Sequence, residues 1–183
     1  MYPWFRLFTA GLKVIGKSKV DLLATTRVRL RVWPNDLDFN LHVNNGRYLA
    51  LADISGMHCG VRTGVLRIAR QHGAFPVIGD ATAKFRHELK LFQSFEIYSR
   101  LIGWDSKWAF FEHRFVRHDR VIGVVAGRML FKAQDGPVDT QVILASLAHP
   151  APSPELPEWA KHFDQSAELL SELVHDEERS RGY

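Results

Sequence analysis

Polar side chains alternate with apolar ones in one short segment of the 183-residue chain. The polar members are Asp38, Asn40, His42 and Asn44. The apolar members are Phe39, Leu41 and Val43. In an extended segment, the polar side chains would share one side and the apolar ones would anchor the other. A carboxylate, an amide and an imidazole that exchanges protons near neutral pH are suited to attack on a carbonyl group or to activation of water.

A helix is predicted directly after this segment, over residues 47–60, with Asn44 or Asn45 as its N-cap. The start of a helix offers unpaired N–H groups and a partial positive charge, which together can hold the oxygen of a polarised carbonyl. Asn and Asp are also common as caps and turn formers, so a purely structural role stays open. A cap needs only one or two oxygens, and the larger number of polar side chains favours a site.

Hydrophobic periodicity predicts an α+β fold around this segment. Residues 26–33 alternate, with arginines on one face, and predict a half-buried strand. A short helix is predicted over residues 65–71. Four further strands are predicted over residues 80–89, 95–104, 107–117 and 121–133. The short turns between these strands imply antiparallel pairing, and the nearly continuous apolar character of the last strand indicates a central position in the sheet.

The bulk composition predicts one globular domain, and no cofactor is expected because the sequence has no phosphate-cradling loop. With 46% hydrophobic residues, a chain of this length can bury a single core. Cys59 is the only cysteine, which excludes an intramolecular disulfide and favours a reducing, cytoplasmic compartment. The histidines show no ligand spacing, so no metal is expected. The net charge of +4 and the pI near 9.4 suit anionic partners.

The ends of the chain are predicted to flank the domain, which we place at residues 19–148. Residues 1–18 predict an amphipathic arm, whose first sixteen residues are too short and too often charged to span a bilayer. Peripheral contact with the inner face of a membrane and packing on the domain or a dimer mate both stay open. Residues 149–183 predict a proline-rich linker and a C-terminal helix. The arginine row is interpreted as a solvated face, and nucleic-acid binding is not expected.

The segment P-N-D-L-D-F-N-L-H-V-N-N-G-R-Y-L resembles the signature loop and helix start of hotdog-fold thioesterases. The resemblance is to the acyl-carrier-protein thioesterases of plants and to the 4-hydroxybenzoyl-CoA thioesterase type, and it covers roughly residues 25–131. Within that superfamily the chain most resembles thioesterase superfamily member 6-like proteins, through the G-W-D turn at residues 103–105 and the P-E-L-P segment at residues 154–157. The resemblance implies a curved antiparallel sheet of about five strands wrapped around one long helix.

The resemblance also implies roles for individual residues. By position, Asp38 matches the catalytic carboxylate, Asn40 and His42 match its polar partners, and the backbone N–H of Asn45 matches the donor that polarises the thioester carbonyl. Asn44 and Tyr48 match positions that contact substrate, although core packing is an equal alternative for Tyr48. Asp36 matches a family acid whose role is expected in the turn. Whether Asp38 acts as nucleophile or as general base stays open.

Two functions follow from these observations. The first is hydrolysis of an acyl-CoA or acyl-carrier-protein thioester in fatty acid metabolism, by a homodimer or a dimer of dimers. The second is a non-catalytic acyl-binding or scaffold protein that keeps the hotdog fold. A hotdog dehydratase is disfavoured, because that class needs a different arrangement of Asp and His.

Overall fold

The computed structural model describes Arg6, Phe8, Thr9 and residues 18–182. These described residues form six strands: β1 (Thr26–Arg31), β2 (Phe75–Phe85), β3 (Ser94–Trp104), β4 (Ala109–Arg117), β5 (Arg120–Ala133) and β6 (Gly136–Val138). Four helices longer than one turn accompany them: α1 (Asn45–Thr63), α2 (Val65–Gln71), α3 (Thr140–Ala145) and α4 (Glu158–Arg181). The predicted arm lies outside the described residues apart from Arg6, Phe8, Thr9 and Ser18.

All six strands belong to one curved antiparallel sheet. Its main order is β1-β3-β4-β5-β2, and β6 pairs with β5. The central position predicted for β5 is therefore confirmed. In β1, the alternation of buried and exposed residues also follows the prediction, with the arginines on the exposed face.

The long helix α1 packs against the sheet and supplies much of the core. Leu51 and Ile54 are fully buried and belong to the same apolar cluster as Phe95, Ile97 and Phe115 of the sheet. A second cluster packs α2 and α3 against Phe131 of β5. In its elements and their order, this is the arrangement of helix and curved sheet expected from the sequence.

The structure differs from the prediction at β2 and after β5. β2 covers Phe75–Phe85 instead of residues 80–89, and Leu89 is buried in the following loop. Pro76 is compatible with this strand because β2 pairs on one side only, with β5, so a missing N–H is tolerated there. β6 and α3 were not predicted, because three and six residues are too few to show a hydrophobic period.

A buried arginine attaches α4 to the sheet. Arg128 of β5 is only 1% exposed, and its Nε donates to Asp80 of β2 at 2.6 Å. Its Nη1 donates to Asp164 at 2.6 Å and to Glu168 at 2.5 Å, both on α4. The guanidinium also lies 4.3 Å from the ring centroid of Trp108. We call these five residues the Arg128 cluster.

Part of this cluster depends on a glycine. A Cβ added at Gly79 would lie 2.5 Å from the ring of Trp108, so only glycine permits the ring to rest on β2 at this point. The register between β2 and β5 shifts between Ile78 and Asp80, which is the signature of a β-bulge. The bulge and the missing side chain at Gly79 together let Trp108 and Asp80 reach Arg128.

No helix in the part of the chain that the structure describes has the length and apolar character needed to cross a membrane.

We expect Arg128→Ala to lower the free energy of unfolding by about 3 kcal/mol or more, because it removes the cation that pairs with Asp80 and Asp164 and leaves Glu168 only the more distant Lys107, at 3.9 Å. Urea denaturation followed by circular dichroism measures this loss. Arg67→Ala is the matched control, since Arg67 is exposed, and it should change stability by no more than about 0.5 kcal/mol. Equal effects of the two substitutions would contradict the structural role of Arg128.

Candidate active site

The segment Leu37–Val43 forms a tight loop. Leu37 and Val43 make an antiparallel bridge, and the N–H of Asp38 donates to the carbonyl of His42 at 2.9 Å. The N–H of Leu41 donates to the carbonyl of Asp38, and Leu41 has a φ of 60°. These contacts reverse the chain within a few residues. The prediction of one extended segment with a single polar edge is therefore wrong.

The apolar side chains of this loop do not anchor it as predicted. Phe39 is 93% exposed and Leu41 is 70% exposed, whereas Val43 is buried. Once the chain turns at Leu41, alternate residues no longer share a side, so only the position next to α1 reaches the core. Of the three expected anchors, only Val43 has that role.

The residue that fixes this loop is Asp36, whose side chain is fully buried. Its Oδ2 accepts from the backbone N–H of Trp33 at 2.8 Å and from Arg6 at 2.7 Å. Its Oδ1 accepts from Arg47 at 2.9 Å, and its carbonyl accepts from the N–H of Asn44 at 2.8 Å. Asp36 thus joins the start of the loop to the first turn of α1. The sequence placed Asp36 in a turn but gave no sign of its charged partners.

The three polar residues proposed for catalysis lie on this loop but do not form one hydrogen-bonded group. Oδ1 of Asp38 accepts from the backbone N–H of Asn40 at 2.9 Å. Nε2 of His42 instead contacts Oε2 of Glu88 at 2.6 Å, and Glu88 also pairs with Lys90 at 2.7 Å. The hydrogen bond from Lys90, together with the nearby His42, holds the pKa of Glu88 below its usual value. Within the described part of the chain, no hydrogen bond joins the Asp38 carboxylate to the side chains of Asn40 or His42.

The start of α1 follows the sequence prediction. Asn44 is the N-cap, and its side chain accepts from the N–H of Gly46 at 2.9 Å. The N–H of Arg47 donates to the carbonyl of Asn44. Asn45 is the first helical residue, and helix geometry provides no intrahelical acceptor for its N–H. That N–H can therefore donate a hydrogen bond to a carbonyl oxygen at the start of the helix.

Tyr48 is a core residue. It is 3% exposed, and its ring lies 5.0 Å from that of Phe85 and 4.9 Å from that of Phe115, centroid to centroid. Burial raises the pKa of its hydroxyl to about 12. The structure supports the packing alternative for Tyr48, because helical spacing turns this side chain toward the sheet, and the substrate contact stays a prediction.

An apolar pocket of about 280 Å³ lies between α1 and the sheet. Its wall on the α1 side runs from Asp53 to Thr63, with glycines at positions 56 and 60. The sheet contributes Ser99 of β3 together with Phe111 and His113 of β4. None of the residues proposed from the sequence lines this pocket. The small residues of α1 were the available signal, because they allow a helix to leave open space beside a sheet.

Among the described residues that line this pocket, Asp53 is the only carboxylate. It is half-buried on α1, where its neighbours are apolar or small. Sequence reasoning did not single it out, since one acid on an amphipathic helix resembles an ordinary solvated residue. It is the second carboxylate that a test of catalysis must include.

His113 is buried beside this pocket and is 5% exposed. Burial lowers the pKa of its imidazole from 6.5 to about 4, so the ring is neutral at pH 7. Its Nδ1 lies 2.7 Å from Oγ of Ser99, and that oxygen lies 2.6 Å from Oγ of Ser55 on α1. A neutral ring with one satisfied nitrogen is a fixed hydrogen-bonding group in otherwise apolar surroundings.

We expect the stability of the protein to fall as the pH decreases from about 6.5 towards 4, partly because of His113. In that range the unfolded chain binds a proton at this residue and the folded chain does not, so protonation favours unfolding by up to about 3 kcal/mol. Urea denaturation at several pH values measures the slope. His113→Phe should flatten it, whereas His162→Phe, an exposed histidine on α4, should leave it unchanged. Parallel pH profiles for wild type and His113→Phe would contradict the lowered pKa.

Comparison with known sequences places most of the chain in one superfamily. Residues 32–163 match the sequence model of the thioesterase-like superfamily. The chain is 33% identical over 178 residues to Protein THEM6 of Xenopus laevis, covering 91% of this chain and 84% of that protein. It is 30% identical over 116 residues to a probable thioesterase of Saccharomyces cerevisiae, covering 62% of this chain and 50% of that protein.

Solved structures show the same fold. A probable thioesterase from Bartonella henselae superposes with a TM-score of 0.58 at 18% identity, covering 63% of this chain and 98% of that chain. A gentisyl-coenzyme A thioesterase superposes with a TM-score of 0.57 at 20% identity, covering 64% and 98%. The hotdog fold expected from the sequence is confirmed.

Proposed function

Because this chain belongs to the thioesterase-like superfamily, a membership that supports thioester hydrolysis in general, we propose that it hydrolyses acyl-CoA or acyl-carrier-protein thioesters. The observation that carries the proposal is the fixed relation between the Asp38 loop and the start of α1. Asp36 accepts from Asn44 and Arg47 and so holds the loop against the helix start. A carboxylate and an oxyanion donor therefore belong to two segments that are joined by a buried ion pair.

The proposed reaction uses the Asn45 N–H to hold the carbonyl oxygen of the thioester while Asp38 drives the attack. In one route Asp38 removes a proton from water, whose oxygen bonds to the carbonyl carbon. In the other, the carboxylate itself bonds to that carbon, and water later hydrolyses the anhydride. In both routes the carbon–sulfur bond breaks and the thiolate takes up a proton. Asn40 and His42 are proposed to orient Asp38 or the water, and Asn44 to fix the helix start beside the substrate.

The charge of the chain supports a phosphate-bearing carrier. Coenzyme A and the prosthetic group of acyl carrier protein both carry phosphate, which suits a protein with a net charge of +4. Fatty acid metabolism in the cytoplasm is the setting that fits such substrates and the single cysteine. A peripheral contact with the inner membrane face through residues 1–16 is part of this proposal.

The exposed edge of β2 supports assembly into a homodimer or a dimer of dimers. β2 pairs only with β5, so its other edge offers unpaired backbone N–H and C=O groups. Exposed apolar side chains accompany this edge, namely Phe75, Val77, Ile78 and Phe85. Pairing with β2 of a second copy would satisfy the backbone groups and cover these side chains.

For catalysis, we expect Asp38→Ala to lower kcat/KM for acyl-CoA hydrolysis by about a hundredfold or more, because the carboxylate that drives the attack is lost. Thiol release from a panel of acyl-CoAs measures this effect. Asp135→Ala is the matched control, since Asp135 is exposed in the turn after β5 and its loss removes the same charge.

Asp53→Asn is measured in parallel and is expected to have the smaller effect. Full activity of Asp38→Ala with loss of activity in Asp53→Asn would move the catalytic carboxylate to α1 and contradict the assignment. Binding of acyl chains without turnover of any thioester would instead support the non-catalytic acyl-binding or scaffold function.

For assembly, we expect Val77→Lys to raise the dimer dissociation constant at least about tenfold, because lysine on an edge strand opposes pairing with another strand. Sedimentation velocity over a range of concentrations measures the change. Leu170→Lys places the same charge on an exposed apolar site of α4 and should leave assembly unchanged. Loss of assembly in Leu170→Lys alone would place the interface on α4.

A further inference from the structure

The wall of the apolar pocket carries a chain of three buried polar side chains. Ser55 of α1, Ser99 of β3 and His113 of β4 are each no more than 6% exposed. Oγ of Ser55 lies 2.6 Å from Oγ of Ser99, which lies 2.7 Å from Nδ1 of His113. This polar chain crosses from the helix to the sheet through apolar surroundings.

The direction of these hydrogen bonds determines which nitrogen of the His113 ring carries the proton. If Ser55 donates to Ser99 and Ser99 donates to Nδ1, each hydroxyl proton has an acceptor. The opposite direction would leave the Ser55 hydroxyl proton in need of another acceptor. The first direction makes Nδ1 an acceptor, so the proton of the neutral ring is on Nε2.

With the first direction, Nε2 of His113 is a donor that faces the pocket. His113 lines the pocket, and across the described residues no group accepts from its Nε2. Gly56 leaves space in front of the ring, because a Cβ added there would lie 3.4 Å from Cε1 and 3.7 Å from Nε2. An apolar chain that fills the pocket removes water from this N–H without offering it an acceptor, which is costly, so a ligand oxygen at this point would be stabilised.

His113 of β4 faces Gly56 of α1, and the position of Gly56 along the helix sets how far the ligand oxygen lies from the reacting carbonyl. Gly56 follows Asn45 by eleven residues, which returns it to the same face of the helix about 16 Å along the axis. An extended acyl chain whose carbonyl lies at the Asn45 N–H would need about a dozen carbon atoms to span this length. The pocket of about 280 Å³ has room for about nine groups of the size of a water molecule or methylene, at about 30 Å³ each.

We propose that this pocket binds the distal part of a long acyl chain that carries a hydroxyl or keto oxygen, which accepts a hydrogen bond from Nε2 of His113. The inference deepens the proposed thioester hydrolysis and rests on it for the position of the carbonyl. The protein is then a hydrolase for oxygenated long-chain acyl groups. Unsubstituted chains bind less well, because they leave the His113 donor without an acceptor.

The test compares three acyl-CoAs of equal chain length. One is unsubstituted, one carries a hydroxyl about a dozen carbons from the carbonyl, and one carries it close to the carbonyl. We expect kcat/KM to favour the distal hydroxyl over the unsubstituted chain by about tenfold to a hundredfold, as one buried hydrogen bond allows. The hydroxyl close to the carbonyl should give no advantage.

Two variants separate recognition from folding. His113→Phe keeps a ring of similar shape without the donor and should abolish the preference. Gly56→Ala favours the helix and places a methyl group in front of Nε2, so it should reduce the preference severalfold in a protein that remains folded. Equal rates for the three substrates in wild type, or an unchanged preference in both variants, would overturn the proposal.

Calorimetry with the corresponding free fatty acids distinguishes this proposal from the proposed hydrolysis. Tighter binding of the distal hydroxy acid without turnover of any thioester would support the pocket and refute the hydrolysis. Hydrolysis of thioesters with no preference for the hydroxy acid in either binding or rate would refute the pocket alone.

Discussion

The buried carboxylate of Asp36 is the interaction on which the candidate site depends. An ionised group that is fully removed from water must be paired, and Asp36 has two arginines and a backbone N–H as partners. One arginine precedes β1 and the other lies in the first turn of α1, so the pairing fixes three separate parts of the chain together. The neighbouring Asp38 can remain accessible because Asp36 carries the structural role.

The local patterns of the sequence predicted the regular elements well. Alternation in β1, the run of apolar residues in β5 and the asparagine before α1 each depend on neighbours within a few positions, and each was confirmed. The loop from Leu37 to Val43 could not be predicted in the same way. Its alternating pattern fits an extended strand equally well, and only the backbone contacts between Asp38, Leu41 and His42 select the turn.

The pocket was missed for a related reason. Its residues come from three helices, four strands and the turn before β1, and no interval in the sequence indicates that they meet. Ser99 and His113 are fourteen residues apart and become neighbours only through the register of β3 and β4. The small residues of α1 gave the one local sign, since a helix that carries glycine at positions 56 and 60 can approach a sheet without filling the space between them.

The Arg128 cluster has a consequence for how these sequences can change over time. Its cation and three carboxylates occupy β5, β2 and α4, and loss of Arg128 leaves neighbouring carboxylates that repel one another. Replacement of Arg128 alone is therefore destabilising, whereas joint replacement of the four residues by apolar residues of similar volume is compatible with the fold. Among relatives, positions 80, 128, 164 and 168 should accordingly covary. In each relative, either these charged residues or apolar residues at the same positions would hold α4 against the sheet.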